Sequence, residues 1–103
     1  MRDAHQHKDI YLIVDSLTFA IDELFLSIDK LGDLDLQFLD LTLLEKIKKE
    51  NEVLIDKVFS VNASVEQRIK MNKKVIELRA RISMLIDEKT IWINKTDTSH
   101  QLI

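Results

Sequence analysis

An unbroken heptad pattern of apolar residues from Ile10 to Leu31 constrains the fold more than any other feature. Apolar side chains recur from Ile10 to Leu31 at spacings of 4, 3, 4, 3, 4 and 3 residues. This period places them along one side of an α-helix, as in helices that pack by coiled-coil contacts. A second row, Leu12, Phe19 and Leu26, widens the apolar face. A face this wide predicts a helix that is buried against two neighbours.

Two later segments carry the same pattern. The second seam consists of Leu44, Ile47, Asn51, Leu54, Val58 and Val61, and the third of Met71, Val75, Leu78, Ile82 and Leu85. We therefore predict helices over about residues 4–31, 36–60 and 65–93, followed by a loose polar tail over 94–103. Residues 34–41 alternate apolar and polar, so a short strand is the alternative there. Helix is preferred because a lone strand of this length would have no partner strand.

Polar and small residues mark the predicted helix ends. Gly32 stands where a helix C-cap would need a positive φ. Asp33 or Asp35 is expected to cap the second helix. Ser64 and Gln67 form an S-x-x-Q capping box at the start of the third.

Composition supports an all-α fold and one domain over residues 1–103. The chain has one Gly, no Pro and no Cys, which argues against turn-rich β-sandwiches and disulfide-stapled folds. We expect an elongated antiparallel helical hairpin or three-helix bundle with coiled-coil-like packing. No apolar run approaches the roughly 18 residues of a membrane span, and no signal peptide is recognisable. A cytoplasmic protein that does not bind membranes is therefore predicted.

Charge is distributed unevenly along the chain. Residues 1–40 carry a net charge of −6 and residues 41–103 a net charge of +3. This asymmetry favours pairing of the acidic first helix with the basic third helix. Exposed ion pairs of this kind contribute only about 0–1 kcal/mol each, so they choose the topology more than they stabilise it.

Candidate reactive residues do not assemble into a catalytic, cofactor or metal site. His5 and His7 are two apart, and such residues point to different sides of a helix, so they would not share a metal ion. Ser99 and His100 lie in the predicted tail, which would not hold a catalytic geometry. A single Gly does not build a phosphate-binding loop. No enzyme activity and no cofactor are predicted.

The third helix is rich in basic residues, but we interpret its basic face as solvated. The residues concerned are Arg68, Lys70, Lys73, Lys74, Arg79 and Arg81. Nucleic-acid binding is disfavoured because the whole chain has a net charge of −3, acidic residues interrupt the run, and no aromatic residues interleave to stack bases.

Asn51 occupies a seam position in the second helix, and two interpretations stay open. A polar residue at such a position can fix helix register or partner choice at some cost in stability. Alternatively, the position lies at a wet edge of the seam.

An apolar surplus on the third helix is the strongest functional hint. Beyond the seam, a second set of apolar residues consists of Ile69, Ile76, Ile86, Ile91, Trp92 and Ile93. Three helices of this length are not expected to cover all of them. The uncovered surface would capture an amphipathic helix of another protein, or a second copy would cover it in a homodimer.

Three sequence elements carry a family resemblance. They are an acidic turn, Lys30-Leu31-Gly32-Asp33-Leu34-Asp35; a helix with Leu43-Leu44-Glu45-Lys46 leading to Leu54-Ile55; and a helix from Asn72-Lys73-Lys74-Val75-Ile76-Glu77-Leu78 to Ile82-Ser83-Met84-Leu85-Ile86. Over about residues 17–100 the chain resembles the small cytosolic substrate chaperones of flagellar type III export (FliT/FlgN-like). It departs from them in that the C-terminal helix of some members is absent or very short here.

The resemblance implies a chaperone that holds the C-terminal helical part of a flagellar subunit and delivers it to the export gate. The binding surface would be the later half of the third helix: Val75, Leu78, Ile82, Leu85, Ile86 and Trp92. The alternative function is a dimeric coiled-coil adaptor or a phage- or plasmid-borne regulatory subunit.

Overall fold

Three α-helices and one short 3-10 helix make up the fold, without a strand in the part of the chain that is described. The structure is a computed structural model, and it describes the backbone of residues 2–101 and the side chains of residues 13–96. Helix α1 spans Arg2–Gly32, the 3-10 helix Leu36–Phe38, α2 Leu41–Ser60 and α3 Val65–Gln101. The predicted all-α bundle is confirmed.

Two ion pairs show the relative direction of α1 and α3. Lys74 contacts Asp22 at 3.1 Å, and Arg81 contacts Asp29 at 2.6 Å. From the first pair to the second, the position in α1 and the position in α3 both advance by seven residues, so α1 and α3 run parallel. Helix α2, which connects them in sequence, runs antiparallel to both. The predicted pairing of the acidic first helix with the basic third is confirmed.

In both ion pairs the partners are 52 residues apart in sequence. With this offset α1 and α3 lie side by side over only part of their lengths, so the molecule is a rod. Val65 lies level with residue 13 of α1, and Gly32 lies level with Met84 of α3. The first eleven residues of α1 therefore extend beyond the start of α3, and the end of α3 extends beyond α1. The resulting extents are 74 × 18 × 17 Å.

The core follows the three predicted seams. Its buried apolar residues from α1 are Val14, Leu17, Ile21, Leu24 and Ile28; from α2, Leu44, Ile47, Leu54 and Val58; and from α3, Met71, Val75, Leu78 and Ile82. Leu39 and Val61, which flank α2, complete it. The seam residue Ile10 lies outside the described side chains.

The segment before α2 is not part of that helix, so the predicted start at residue 36 is wrong. Leu36–Phe38 is a single 3-10 turn, and α2 begins only at Leu41. The cap is Asp40, whose carboxylate accepts a hydrogen bond from the backbone N–H of Thr42 at 2.9 Å. Leu39 is buried just before this cap. The burial of Leu39 and the Asp40 cap together end the 3-10 turn and begin α2.

Gly32 does not adopt the predicted positive φ. It is the last residue of α1, and the helix ends instead in two tight turns. The N–H of Asp33 bonds to the carbonyl of Lys30 at 3.3 Å, and that of Leu34 to the carbonyl of Leu31 at 3.2 Å. Such bonds satisfy the last carbonyls without a left-handed residue.

The predicted capping box between α2 and α3 is confirmed. The N–H of Gln67 donates to Ser64 Oγ at 3.2 Å, and the N–H of Ser64 donates to Gln67 Oε1 at 3.1 Å. Arg68 reinforces the turn by donating to the Val61 carbonyl at 2.7 Å.

Helix α3 is longer than its pattern predicts. The backbone stays helical through Gln101, so the predicted loose tail over 94–103 is wrong for residues 94–101. Residues 94–101 contain no Gly or Pro to end a helix. The side chains of His5, His7, Ser99 and His100 lie outside the described residues.

Candidate helix-binding surfaces

The predicted partner-binding residues divide into a buried and a partly accessible group. Val75, Leu78 and Ile82 are almost completely buried in the bundle core. They would meet a partner only if the bundle opened. Leu85, Ile86 and Trp92 are half-buried. Leu85 lines a cleft between α1 and α3, and Ile86 lines a cleft between α2 and α3, so the six residues do not form one surface.

A groove runs along the outer side of the parallel pair α1 and α3, and we name it the α1/α3 groove. Its first part is a cleft of about 490 Å³ whose floor includes Val14, Ile21 and Met71. Its second part is a cleft of about 260 Å³ that reaches Leu85 and Gly32. The Lys74–Asp22 ion pair joins α1 to α3 at the first cleft, and the Arg81–Asp29 ion pair joins them at the second. Sequence reasoning missed this groove because it depends on the offset between α1 and α3.

The rim of the α1/α3 groove carries charges of both signs. Asp15 contributes from α1, and Lys70, Lys73 and Glu77 from α3. An apolar floor with a mixed-charge rim matches an amphipathic helix that has charged residues beside its apolar stripe.

A third cleft, of about 500 Å³, lies on the other side of α3, between α2 and α3. It is lined by Val53 and Ile86 among four charged residues of α2. The ion pair of Arg79 with Glu52, at 3.2 Å, crosses this side. Near the turn into α3, a smaller cleft of about 190 Å³ lies beside Phe59 and Ile69.

Lys89 joins α3 to residues 33–40, the connector between α1 and α2, and the sequence analysis does not assign it this role. It is only 7% exposed, its ammonium donates to the Leu36 carbonyl at 2.6 Å, and it lies 4.1 Å from the centroid of the Trp92 ring. A signal was present, since Lys89 continues the seam of α3 in register after Leu85. A lysine at a seam position is expected to bury its stem and direct its charge to an acceptor.

Asn51 is 1% exposed, which excludes the wet-edge interpretation. Its Nδ2 donates to the Val75 carbonyl across the α2/α3 seam at 3.3 Å. Its Oδ1 has no hydrogen-bond partner among the described residues. The amide therefore ties one position of α2 to one position of α3, as a register-fixing residue would.

The basic residues of α3 are mostly engaged within the chain. Lys74, Arg79 and Arg81 form ion pairs, and Arg68 donates to a backbone carbonyl. The remaining exposed basic residues of α3, Lys70, Lys73 and Lys95, have no ion pair among the described side chains. Such engagement leaves little of the basic face for a polyanion.

The comparisons with known proteins add no family. No family model, no curated protein and no solved structure matches the chain. Among the described residues, no three His, Cys, Asp or Glu side chains are placed to hold a metal ion. No described helix combines the length and apolar character needed to cross a membrane.

Proposed function

We propose that the protein is a non-enzymatic binding module that holds an amphipathic helix of another protein. The α1/α3 groove is the observation that carries this proposal. It provides an apolar floor along two parallel helices on the side where α2 does not reach.

The arrangement of the helices favours a helical partner. Three helices in an up-down-up order leave the place that a fourth, antiparallel helix takes in a four-helix bundle. From Val14 to Gly32 the groove follows 18 residues of α1, or about 27 Å at 1.5 Å per residue. A partner helix of about five turns would reach both clefts and contact Leu85.

The resemblance to flagellar export chaperones narrows the class of partner. It supports the C-terminal helical part of a secreted flagellar subunit as the client, held in the cytoplasm before export. Of the accessible members of the predicted surface, Leu85 lines the α1/α3 groove and Trp92 lies further along α3, whereas Ile86 lines the cleft between α2 and α3 and would not contact a helix bound in that groove.

A peptide titration with a groove-filling variant tests the proposal. Thr18 lines the larger cleft, so Thr18→Trp is expected to fill it. Thr42, at the exposed start of α2, gives the matched control Thr42→Trp. The probe is a labelled synthetic amphipathic helix of about 18 residues, and its binding is measured by fluorescence anisotropy.

We expect Thr18→Trp to weaken binding by about tenfold, equivalent to about 1.4 kcal/mol, and Thr42→Trp to leave it unchanged. Equal effects of the two variants, or no binding to the unmodified protein, would contradict the proposal. A second peptide, the C-terminal helix of a flagellar subunit, tests the client class. If it binds no better than a shuffled amphipathic peptide of the same composition, the export-chaperone assignment fails while helix binding stands.

A further inference from the structure

Helix α3 is apolar on two opposite sides. One side forms the core seam, and the other faces solvent directly opposite to it. On the solvent side, Ile69, Ile76, Met84 and Ile91 are 61%, 57%, 62% and 54% exposed. With the exposed residues at positions 73, 80 and 87, they form a line along the helix, which we name the outer stripe.

The spacing of the outer stripe is symmetric about Ala80. From position 69 to position 91 the intervals are 4, 3, 4, 4, 3 and 4 residues, so the stripe consists of two eleven-residue repeats. Eleven residues make three turns of 3.67 residues, close to the ideal helix, so the line stays on one side of α3. Reversing the direction of the helix reproduces the same intervals.

The residues that this symmetry pairs are also chemically complementary. Position 69 would face position 91, where both residues are Ile, and Ile76 would face Met84. Lys73 would face Asp87, an opposite-charge pair. Ala80 would face its own copy, where a small side chain allows the two backbones to approach.

From this complementarity we infer that the outer stripe binds a second copy of the chain, with the two α3 helices antiparallel and a two-fold axis at Ala80. Each apolar pair and each Lys73–Asp87 pair then occurs twice, as in any isologous interface. Neither Lys73 nor Asp87 has an ion-pair partner within the described side chains.

Charge disfavours the parallel alternative. In a parallel, in-register pair Lys73 would face Lys73 and Asp87 would face Asp87. Like charges placed opposite each other oppose association and so select the antiparallel orientation.

The size of the stripe sets the strength of the dimer. Its 22-residue length corresponds to about 33 Å, and a contact about 10 Å wide would cover roughly 330 Å² of each copy. Stable interfaces cover about 800 Å² per partner, so this contact belongs to the weak, reversible class. A dimer that dissociates on dilution is therefore expected.

Cysteine cross-linking tests the position of the axis, because the chain has no native Cys to interfere. Ala80→Cys places two thiols at the axis, within disulfide reach. In Thr90→Cys, at an exposed position off the stripe, the two thiols are 20 residues apart along the pair, or about 30 Å, beyond the roughly 7 Å limit between Cα atoms. Under mild oxidation of the full chain, we expect the first variant to form covalent dimers at least about tenfold faster.

Charge exchange tests the pairing independently. Lys73→Asp alone and Asp87→Lys alone each create two like-charge contacts, and we expect both variants to lose self-association. Mixed together, they restore two attractive contacts, so the mixture is expected to form a heterodimer. Lys70→Asp, the same charge change off the stripe, is the control and is expected to associate like the unmodified chain. Light scattering or sedimentation across concentration measures the mass.

Several outcomes would overturn the inference. A mass that stays at 12.1 kDa up to millimolar concentration would show that a second copy does not cover the stripe, which would then remain for a different protein. Equal cross-linking of the two cysteine variants, or a mixture no heavier than its components, would refute the antiparallel register. Thr18→Trp, which fills the α1/α3 groove, is expected to leave cross-linking unchanged, so failure here and failure of helix binding are separable.

Discussion

At the scale of single residues, buried polar groups distinguish this bundle from a purely apolar one. Asn51 and Lys89 both occupy seam positions, and both direct a donor to a backbone carbonyl on a neighbouring element. Each contact specifies one arrangement of the elements, because a slip of one turn would leave a polar group buried without a partner. The heptad pattern predicts that these positions face the core, but it does not predict which carbonyl each side chain reaches.

Asn51→Leu should raise the stability of the protein. The amide makes one long hydrogen bond of 3.3 Å, and its Oδ1 has no partner among the described residues, so its burial costs free energy. Leucine has the same number and branching of side-chain heavy atoms and no polar atom. We expect the free energy of unfolding to rise by about 1 kcal/mol, measured by urea denaturation followed by circular dichroism. Asn51→Asp is the matched control and should destabilise, since it buries a charge. A loss of stability in Asn51→Leu would contradict this account of the buried amide.

At the scale of elements, the sequence predicts which segments are helical better than it predicts where each helix begins and ends. Most of the predicted seam residues in the described part of the chain are buried, because their period alone settles which side of a helix faces its neighbours. The break at Leu39 and Asp40 was not predictable from that period. It depends on the burial of Leu39 and on a bond between Asp40 and Thr42, both of which arise only when the elements pack.

Gly32→Ala tests the end of α1. Gly32 has no positive φ, and a Cβ added there would meet no atom within 4 Å. Alanine would therefore fit without strain and reduce the entropy of the unfolded chain. We expect the free energy of unfolding to rise by about 0.4–1 kcal/mol, measured by thermal or urea denaturation. The left-handed cap that the sequence suggests would require the opposite result, a destabilised variant.

At the scale of the whole molecule, the offset between α1 and α3 decides which surfaces are available. The uneven charge along the chain predicts that these helices pair, but it does not fix which acid meets which base. The observed offset opens the α1/α3 groove and leaves the outer stripe beside it, with Lys73 and Met84 belonging to both. Half of the partner surface predicted from sequence is core for the same reason, since Val75, Leu78 and Ile82 contact the other helices. A row of apolar residues in a sequence does not reveal whether its own chain or another protein covers it.

Truncation after Lys89 tests how far the cooperative bundle extends along the rod. Helix α1 ends level with Met84, and the connector reaches α3 at Lys89, so residues 90–101 extend beyond both. The truncated chain keeps every core residue that is buried among the described side chains but loses Trp92, whose ring lies over the Lys89 ammonium. We expect the same cooperative urea transition, with the free energy of unfolding lowered by about 1–2 kcal/mol. We also expect weaker binding of the amphipathic peptide, because Trp92 belongs to the predicted partner surface.

A second truncation, after Lys95, retains Trp92 and separates the two effects. It should match the full chain in stability, because the half-buried residues Trp92 and Ile93 remain. If the chain truncated after Lys89 lost cooperative unfolding, Trp92 would belong to the core rather than to a binding surface. If both truncations bound the peptide as tightly as the full chain, the partner helix would end within the α1/α3 groove, and the far end of α3 would remain for another contact.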